Sequence, residues 1–316
     1  MQSIVVTANS PEEARIAPNL RTKPKPHGIL EVQDRIDVLQ REEKERQLQM
    51  PFDDWSERLR AAPNALLRSA LFGVVKRGRR RYVKEMPLPA AGEFSLAYTG
   101  ERLDQADLDI YLQIVHYARQ RTVNDTLTFP ARRLLREIGR STGKSDYEWL
   151  HDRLVALAAC ATTIRDGKGR TRITGSLIRD SGYDETTGEL KCHLNPYLRG
   201  IFEDYTLLDW DDRLALGPKQ LAKWLQAFYA THAAPYAMKV ATLMQLCGSE
   251  IADPKHFRSD LKKALEELRS RRLIRAWRID AGDLVHVAVA PSPSQARHLA
   301  ARARDSSDQA RDSSDR

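Results

Sequence analysis

One order of secondary-structure elements is predicted twice along this chain of 316 residues, and that repetition strongly limits how the chain can fold. In the first copy, apolar residues on more than one face predict a buried helix over residues 103–119. A short helix over 131–138 follows. After the turn Gly139–Gly143, a third helix is expected to begin at Ser145, because Ser145 and Glu148 fit a capping box. Three β-rich runs complete this copy: residues 161–165, 171–179 and 189–194.

The second copy has the same order. Gly217-Pro218 begins its first helix, and residues 238–247 form a shorter second helix. The pair Asp253-Pro254 supplies an N-cap and a first-turn proline for the third helix. The runs 273–279 and 284–289 are joined by a tight turn and predict a β-hairpin.

Helix, helix, turn, helix and hairpin, in that order, make a winged helix-turn-helix. We therefore expect an α+β, mainly helical fold with two tandem winged helix-turn-helix domains, over residues 65–205 and 206–290. A three-helix bundle with an added hairpin is the alternative. The polar, proline-rich start predicts a flexible N-terminal region over 1–64. A repeated Arg-Asp-Ser-Ser-Asp sequence predicts a disordered tail over 291–316.

The formal net charge of +8 is concentrated in three parts of the chain. Residues 51–84 carry +6, residues 131–202 carry +4 and residues 255–279 carry +6, with acidic stretches between them. This distribution favours double-stranded DNA as the partner over a membrane surface.

No apolar run approaches the ~18 residues of a membrane span, and the first residues do not resemble a secretory signal. We expect a cytoplasmic protein.

Motifs for catalysis or metal binding are not found in the sequence. The three cysteines are too scattered for a C-x-x-C metal site or a disulfide framework. The segment Gly139–Ser145 ends in Gly-Lys-Ser like a P-loop. However, it has three residues between its glycines instead of four and follows a predicted helix instead of a strand. We therefore expect no catalytic residue, no cofactor and no metal. An ATPase that uses Lys144 and Ser145 is the third-ranked hypothesis.

The third helix of the second copy is the strongest candidate for reading DNA. Its polar side chains lie away from the predicted apolar face of Phe257, Leu261 and Leu265. Arg258 is suited to bind a guanine, and Ser259 or Lys262 to contact a base or a phosphate. A solvated helix face is the alternative, but such faces usually mix both signs of charge. The DNA-binding residues predicted here and toward the wing are Lys255, His256, Arg258, Ser259, Lys262, Lys263, Arg269, Arg271 and Arg272.

The first copy is predicted to contact the DNA backbone, because the charges on its third helix are balanced. The candidates are Arg140 and Lys144 near that helix, and Lys168 and Arg170 in the turn that we interpret as its wing. The basic run Arg77–Arg81 is either an arm that contacts DNA or a solvated segment.

A short apolar peptide lies in the charged N-terminal region. Its members are Gln47, Leu48, Met50 and Phe52. Ligands of the bacterial sliding clamp use this kind of peptide, in which a glutamine and aliphatic residues precede a terminal phenylalanine. The alternative is a hydrophobic staple that leads into a helix near Trp55.

Two stretches, Tyr98–Asp109 and Leu135–Leu150, resemble the TrfA-type plasmid replication initiators. The resemblance covers about residues 65–290. It implies binding to directly repeated origin sites (iterons), opening of an AT-rich region, and recruitment of the host initiator protein and the replicative helicase. It also implies a monomer–dimer equilibrium and a sliding-clamp peptide, which Gln47, Leu48 and Phe52 match with one extra residue. A winged-helix transcriptional repressor without a role in replication is the alternative.

Overall fold

A computed structural model describes residues 35, 55–75, 78, 80–122, 124–168, 171–291 and 295. The α-helices are α1 (Asn64–Leu67), α2 (Gln105–Ala118), α3 (Ala131–Glu137), α4 (Lys144–Ala158), α5 (Trp210–Ala215), α6 (Gln220–Ala230), α7 (Val240–Leu246) and α8 (Pro254–Ser270). A 3-10 helix spans Pro196–Glu203. The first seven strands are β1 (Leu59–Pro63), β2 (Phe72–Gly73), β3 (Tyr82–Leu88), β4 (Phe94–Glu101), β5 (Leu103–Asp104), β6 (Leu127–Pro130) and β7 (Ala161–Asp166). The other seven are β8 (Thr171–Gly175), β9 (Ile178–Asp184), β10 (Glu189–Leu194), β11 (Tyr205–Asp209), β12 (Met238–Lys239), β13 (Ala276–Ile279) and β14 (Leu284–Ala288).

The fold is α+β as expected, but helices do not dominate it. The described residues form fourteen strands beside eight α-helices. A four-stranded sheet in the order β3-β4-β7-β8 accounts for much of the difference. Strand β4 alternates between the core and the solvent, and its Leu96 and Tyr98 side chains are buried. That period of two is the pattern of a sheet with one buried face.

The first winged helix consists of α2, α3, α4 and a sheet in the order β6-β10-β9. Helix α2 begins at Asp104, which forms a reciprocal capping box with Asp107. The capping box predicted at Ser145 is wrong, because α4 begins one residue earlier and its N-cap, Gly143, has no side chain. The Asp146 carboxylate instead accepts hydrogen bonds from the Ser141 hydroxyl and the Arg140 guanidinium.

The wing of this domain is the β9–β10 hairpin, because β10 pairs with β6, the strand that leads into α3. The turn at Lys168 belongs to the β7–β8 hairpin of the four-stranded sheet. The interpretation of that turn as the wing is therefore wrong. Two hairpins follow α4, and only the pairing with a distant strand decides which of them is the wing.

The second winged helix consists of α6, α7, α8 and a sheet in the order β12-β14-β13. The predicted start of α8 is confirmed. Asp253 accepts a hydrogen bond from the Lys255 backbone at 2.8 Å, and Pro254 occupies the first turn. Residues 238–239 form strand β12 instead of the first turn of the short helix.

Two hydrophobic cores correspond to the two winged helices. The first contains Tyr111 and Leu134, and the second contains Trp224, Phe257 and Leu265. Both include helices that the apolar spacing predicted, because a helix buries the residues that recur every three or four positions.

The first domain includes residues that precede the predicted boundary at residue 64. Strand β1 pairs along its whole length with β11, far away in the sequence. Before it, the buried Trp55 side chain donates a hydrogen bond from Nε1 to His116 Nδ1 at 3.0 Å. The last ten residues of the expected flexible region 1–64 are therefore part of the first domain. The predicted tail lies outside the described residues except for positions 291 and 295.

Candidate nucleic-acid interface

Helix α8 separates an apolar face from a basic one. It buries Phe257, Leu261, Ala264, Leu265 and Leu268. The exposed side of its first three turns carries five of the predicted DNA-binding residues: Lys255, His256, Ser259, Lys262 and Lys263. The structure thus brings these five residues together on the side of the helix that faces solvent.

Two lysines of this face have no acidic partner. Among the residues that the structure describes, neither Lys255 nor Lys262 has a carboxylate oxygen within 4.0 Å of its Nζ atom. Lys255, Ser259 and Lys262 follow one another at spacings of four and three, so they form one row along the helix. We call these three residues the α8 row. A row of free donors on an exposed helix is what contact with base edges and phosphates requires.

Two neighbours of the α8 row are already engaged. Lys263 Nζ lies 3.2 Å from Asp260 Oδ1, and His256 Nδ1 lies 3.4 Å from Asp253 Oδ2. The positive charge of Lys263 is therefore partly balanced within the helix itself.

Arg258, predicted to bind a guanine, is directed at the wing. Its Nε atom lies 2.8 Å from Asp283 Oδ1, in the turn between β13 and β14. The residue links the helix to the wing, so binding a base would require the guanidinium to leave this carboxylate. Sequence spacing cannot show this contact, because the two residues are far apart in the chain.

The arginines at the end of α8 are also paired. Arg269 contacts Glu266 and Arg271 contacts Glu267, each at 2.5 Å. The hydrogen bond from Arg269 holds the pKa of Glu266 below its usual value. Arg272, exposed and in the left-handed region at φ 63°, follows the helix. The free positive charge of this helix therefore lies mainly in its first half.

The wing of the second domain contributes further cations. Arg275 and Arg278 are exposed, and Arg278 pairs across the hairpin with His286. The Asp280 carboxylate holds the turn together by accepting hydrogen bonds from the backbone of Gly282 and Leu284. Such a hairpin is suited to phosphate contacts beside a helix in the groove.

The corresponding face of the first winged helix is not basic. Between α4 and its wing lies a groove of about 550 Å³ with Tyr147 and Tyr183 on its sides. Glu148, Asp152 and Glu185 line the same groove together with Lys144 and His151, so its carboxylates outnumber the one lysine at its edge. Negative charge at this position opposes a DNA backbone. The first domain therefore lacks the basic reading face that α8 presents.

The predicted contacts of the first domain are dispersed in the structure. Arg140 lies 3.6 Å from the centre of the Trp149 ring and 3.1 Å from Asp146, so it stabilises the start of α4. Lys144 is 90% exposed at the helix N-terminus, 3.8 Å from Glu148. Lys168 lies on the separate sheet, and Arg170 lies outside the described residues.

In the basic run Arg77–Arg81, Arg77 and Arg79 lie outside the described residues, and Arg80 is not a solvated cation. Arg80 is largely buried and contacts the carboxylates of Asp104 and Asp107 at the start of α2. This role was not evident from the sequence, although a carboxylate within a buried helix, here Asp107, signals that a cation must reach it. The sliding-clamp peptide Gln47–Phe52 lies outside the described residues.

No helix in the described part of the chain is both long and apolar enough to cross a bilayer.

The segment Gly139–Ser145 joins helix α3 to helix α4, with no strand in front of it. A P-loop follows a buried strand, whereas this segment follows a helix, as its sequence predicts.

Comparisons with known proteins point to one family. The model of the TrfA protein family matches residues 35–289. The plasmid replication initiator protein TrfA of Escherichia coli is 29% identical over 255 residues, which are 77% of this chain and 65% of that protein. The chain thus spans just under two thirds of the length of this relative.

Two solved structures are similar at lower levels. Domains 2 and 3 of RctB match with a TM-score of 0.46 at 11% identity, over 66% of this chain and 86% of that one. The Pi initiator protein in complex with iteron DNA matches with a TM-score of 0.44 at 13% identity, over 59% and 94% of the two chains. Because the family model covers most of its length, this chain belongs to the TrfA family.

Proposed function

We propose that this protein initiates plasmid replication by binding directly repeated origin sites (iterons) and helping to open the origin. The observation that carries the proposal is the α8 row, with two lysines free of carboxylates on the third helix of a winged helix. Membership of the TrfA family supplies the biological setting, since the Escherichia coli relative is named as a plasmid replication initiator.

In this proposal the second domain reads the repeat. Helix α8 lies in the major groove with its N-terminal half toward the bases, and the wing contacts the adjacent phosphates. The first domain contacts the backbone through exposed cations such as Lys144, and Arg132 and Arg136 on α3. Protein–phosphate contacts release counterions, so binding weakens steeply as salt rises.

We also propose that the protein is not an enzyme. The free energy for opening the origin then comes from binding and from deformation of DNA, with easily unstacked AT-rich steps at the opening site. Hydrolysis of ATP by the purified protein, abolished by Lys144→Ala, would contradict this part of the proposal.

The decisive experiment joins this gene and its adjacent repeats to a plasmid without an origin. We expect the plasmid to replicate in a bacterial host, and to be lost when the repeats are deleted. Failure to replicate while the purified protein binds the repeats with high affinity would favour the transcriptional repressor. Failure to bind the repeats would remove the DNA-binding proposal itself.

The peptide Gln47–Phe52 is proposed to bind the sliding clamp. Because Leu48 and Phe52 are the apolar anchors of the motif, pull-down by the purified clamp is expected to be lost in the Leu48→Ala/Phe52→Ala variant. A Gln40→Ala variant, seven residues upstream, serves as the matched control and is expected to bind normally. Equal retention of both variants by the clamp would contradict the assignment.

The remaining partners of the proposal are the host initiator protein and the replicative helicase, in the bacterial cytoplasm where the plasmid replicates. A monomer–dimer equilibrium, with dimers restraining initiation, belongs to the same proposal. Both parts follow from the family resemblance. Absence of helicase loading at the repeats in a reconstituted system, or a single species in sedimentation at all concentrations, would contradict them.

A further inference from the structure

The two winged helices meet at a buried cluster of charged side chains. The Asp109 carboxylate of α2 accepts hydrogen bonds from Arg213 Nε of α5 at 2.6 Å and from Lys223 Nζ of α6 at 2.5 Å. All three residues are buried, and Arg213 has no exposed surface. One carboxylate of the first domain therefore holds a cation on the connecting helix and a cation on the second domain.

Further hydrogen bonds give this cluster a defined geometry. Arg213 Nη2 donates to Gln105 Oε1 at 2.9 Å, and Arg213 Nη1 donates to the Lys223 carbonyl at 3.3 Å. Beside them, Gln220 Nε2 donates to Asp104 Oδ2 at 2.7 Å. Each bond joins two of three segments, which are helix α2 with its N-cap Asp104, helix α5 and helix α6. We call this set of side chains the interdomain network.

Apolar packing alone defines an angle between domains only loosely. Hydrophobic contact is not directional, whereas hydrogen-bonded charges require a narrow range of distances and angles. A buried ion pair adds little net stability over apolar residues of the same volume, while loss of one partner leaves a charge without compensation. The contribution of the interdomain network is therefore chiefly geometric.

We propose that Asp109 is a positioning residue that fixes the distance and angle between the two winged helices, and thereby the length of DNA repeat that the protein accepts. This inference rests on the proposed function. For paired DNA-binding modules, the spacing of the contacted sites follows from the geometry of the protein. With α8 in the major groove, a fixed angle sets how many base pairs away Arg132 and Arg136 meet the backbone.

The test measures binding to the natural repeat and to repeats lengthened or shortened by a few base pairs between the two contacted segments. Fluorescence anisotropy gives the affinities. We expect the wild-type protein to lose about tenfold or more in affinity when the length changes, because one domain then loses its contacts. In Asp109→Asn, which keeps the side-chain shape and removes the charge, we expect weaker binding to the natural repeat and similar affinity for all lengths.

Two further variants make the result decisive. Asp212→Asn removes an exposed carboxylate from the same connecting helix and is expected to keep the length preference of the wild type. Lys223→Met leaves Asp109 and Arg213 as a balanced pair and is expected to reduce the length preference even if Asp109→Asn does not fold. A folded Asp109→Asn or Lys223→Met protein with the full length preference would overturn the inference. A wild-type protein that binds no repeat of any length would overturn the proposed function instead.

Discussion

The double variant Lys255→Ala/Lys262→Ala is expected to lose about a hundredfold in affinity for the origin repeats. Each lysine is exposed on the α8 row and free of carboxylates in the described structure, so each can neutralise a phosphate or contact a base. Removing a residue that reads a base costs about 1–3 kcal/mol of binding free energy. Removing a phosphate contact reduces the steepness of the plot of log affinity against log salt concentration by about one. The measurement is affinity as a function of salt concentration. In the double variant the steepness of log affinity against log salt concentration should fall by up to about two.

Lys263→Ala is the matched control for this experiment. It removes one positive charge from the same helix, where the double variant removes two, but Lys263 is paired with Asp260 and lies beside the α8 row. We expect its loss of binding free energy for the origin repeats to be several times smaller than that of the double variant. If the single variant lost half the binding free energy that the double variant loses, only net charge would matter. Unchanged affinity and sequence preference in the double variant would remove α8 as the reading helix.

The second large effect is a loss of folding stability in acid that depends on His116. Burial lowers the pKa of His116 to about 4, against the influence of the Glu57 carboxylate beside it. Its Nδ1 atom accepts the hydrogen bond from Trp55, so a proton there would break that bond. The folded chain therefore resists protonation of this ring.

The sign of the effect follows from these values. The unfolded chain takes up a proton on His116 as the pH falls through about 6.5, whereas the folded chain does so only near pH 4. Between these values the unfolded state binds more protons, so acidification favours unfolding. We expect His116 to account for about 3 kcal/mol of lost stability between pH 6.5 and pH 4, and none above pH 7.

Urea unfolding at several pH values tests this prediction. His116→Gln can still accept from Trp55 and donate to Glu57, and we expect its stability to fall less steeply below pH 6.5. His151→Gln, at an exposed histidine of α4, is the control and should follow the wild type. A His116→Gln protein with the same pH dependence as the wild type would contradict the assignment.

The second winged helix was largely predictable because its signals are local. The Asp253 cap, the proline after it and the apolar spacing of α8 all lie within one segment of the chain. A helix is specified by residues three and four positions apart, so its buried and exposed faces follow from the sequence. The α8 row was therefore among the predicted residues.

The pairing of charged side chains was not predictable in the same way. Arg258 contacts Asp283 in the wing, Arg80 contacts Asp104 and Asp107, and neither contact has a fixed spacing. A long side chain can take any carboxylate that folding brings within reach. Arg258 was predicted to bind DNA, and Arg80 to lie in an arm that contacts DNA or is solvated. The structure pairs both with carboxylates of the protein.

One signal for the interdomain network was present in the sequence. Helix α2 is buried on all sides, yet it carries Asp107 and Asp109. A buried carboxylate needs a cation or several donors. The existence of partners could have been inferred from this alone. Their identity could not, because Arg213 and Lys223 lie about a hundred residues away in the chain.

By itself, the sequence determined the two helix-turn-helix-and-hairpin units, the basic face of α8 and the resemblance to the TrfA family. These depend on periodicity, caps and motifs that a few neighbouring residues carry. Only the tertiary structure decided which hairpin is the first wing, which cations remain free, and how Asp109 joins the two domains. Strand pairing and buried ion pairs connect residues that are distant in sequence, and their partners are selected by the packing of the whole chain.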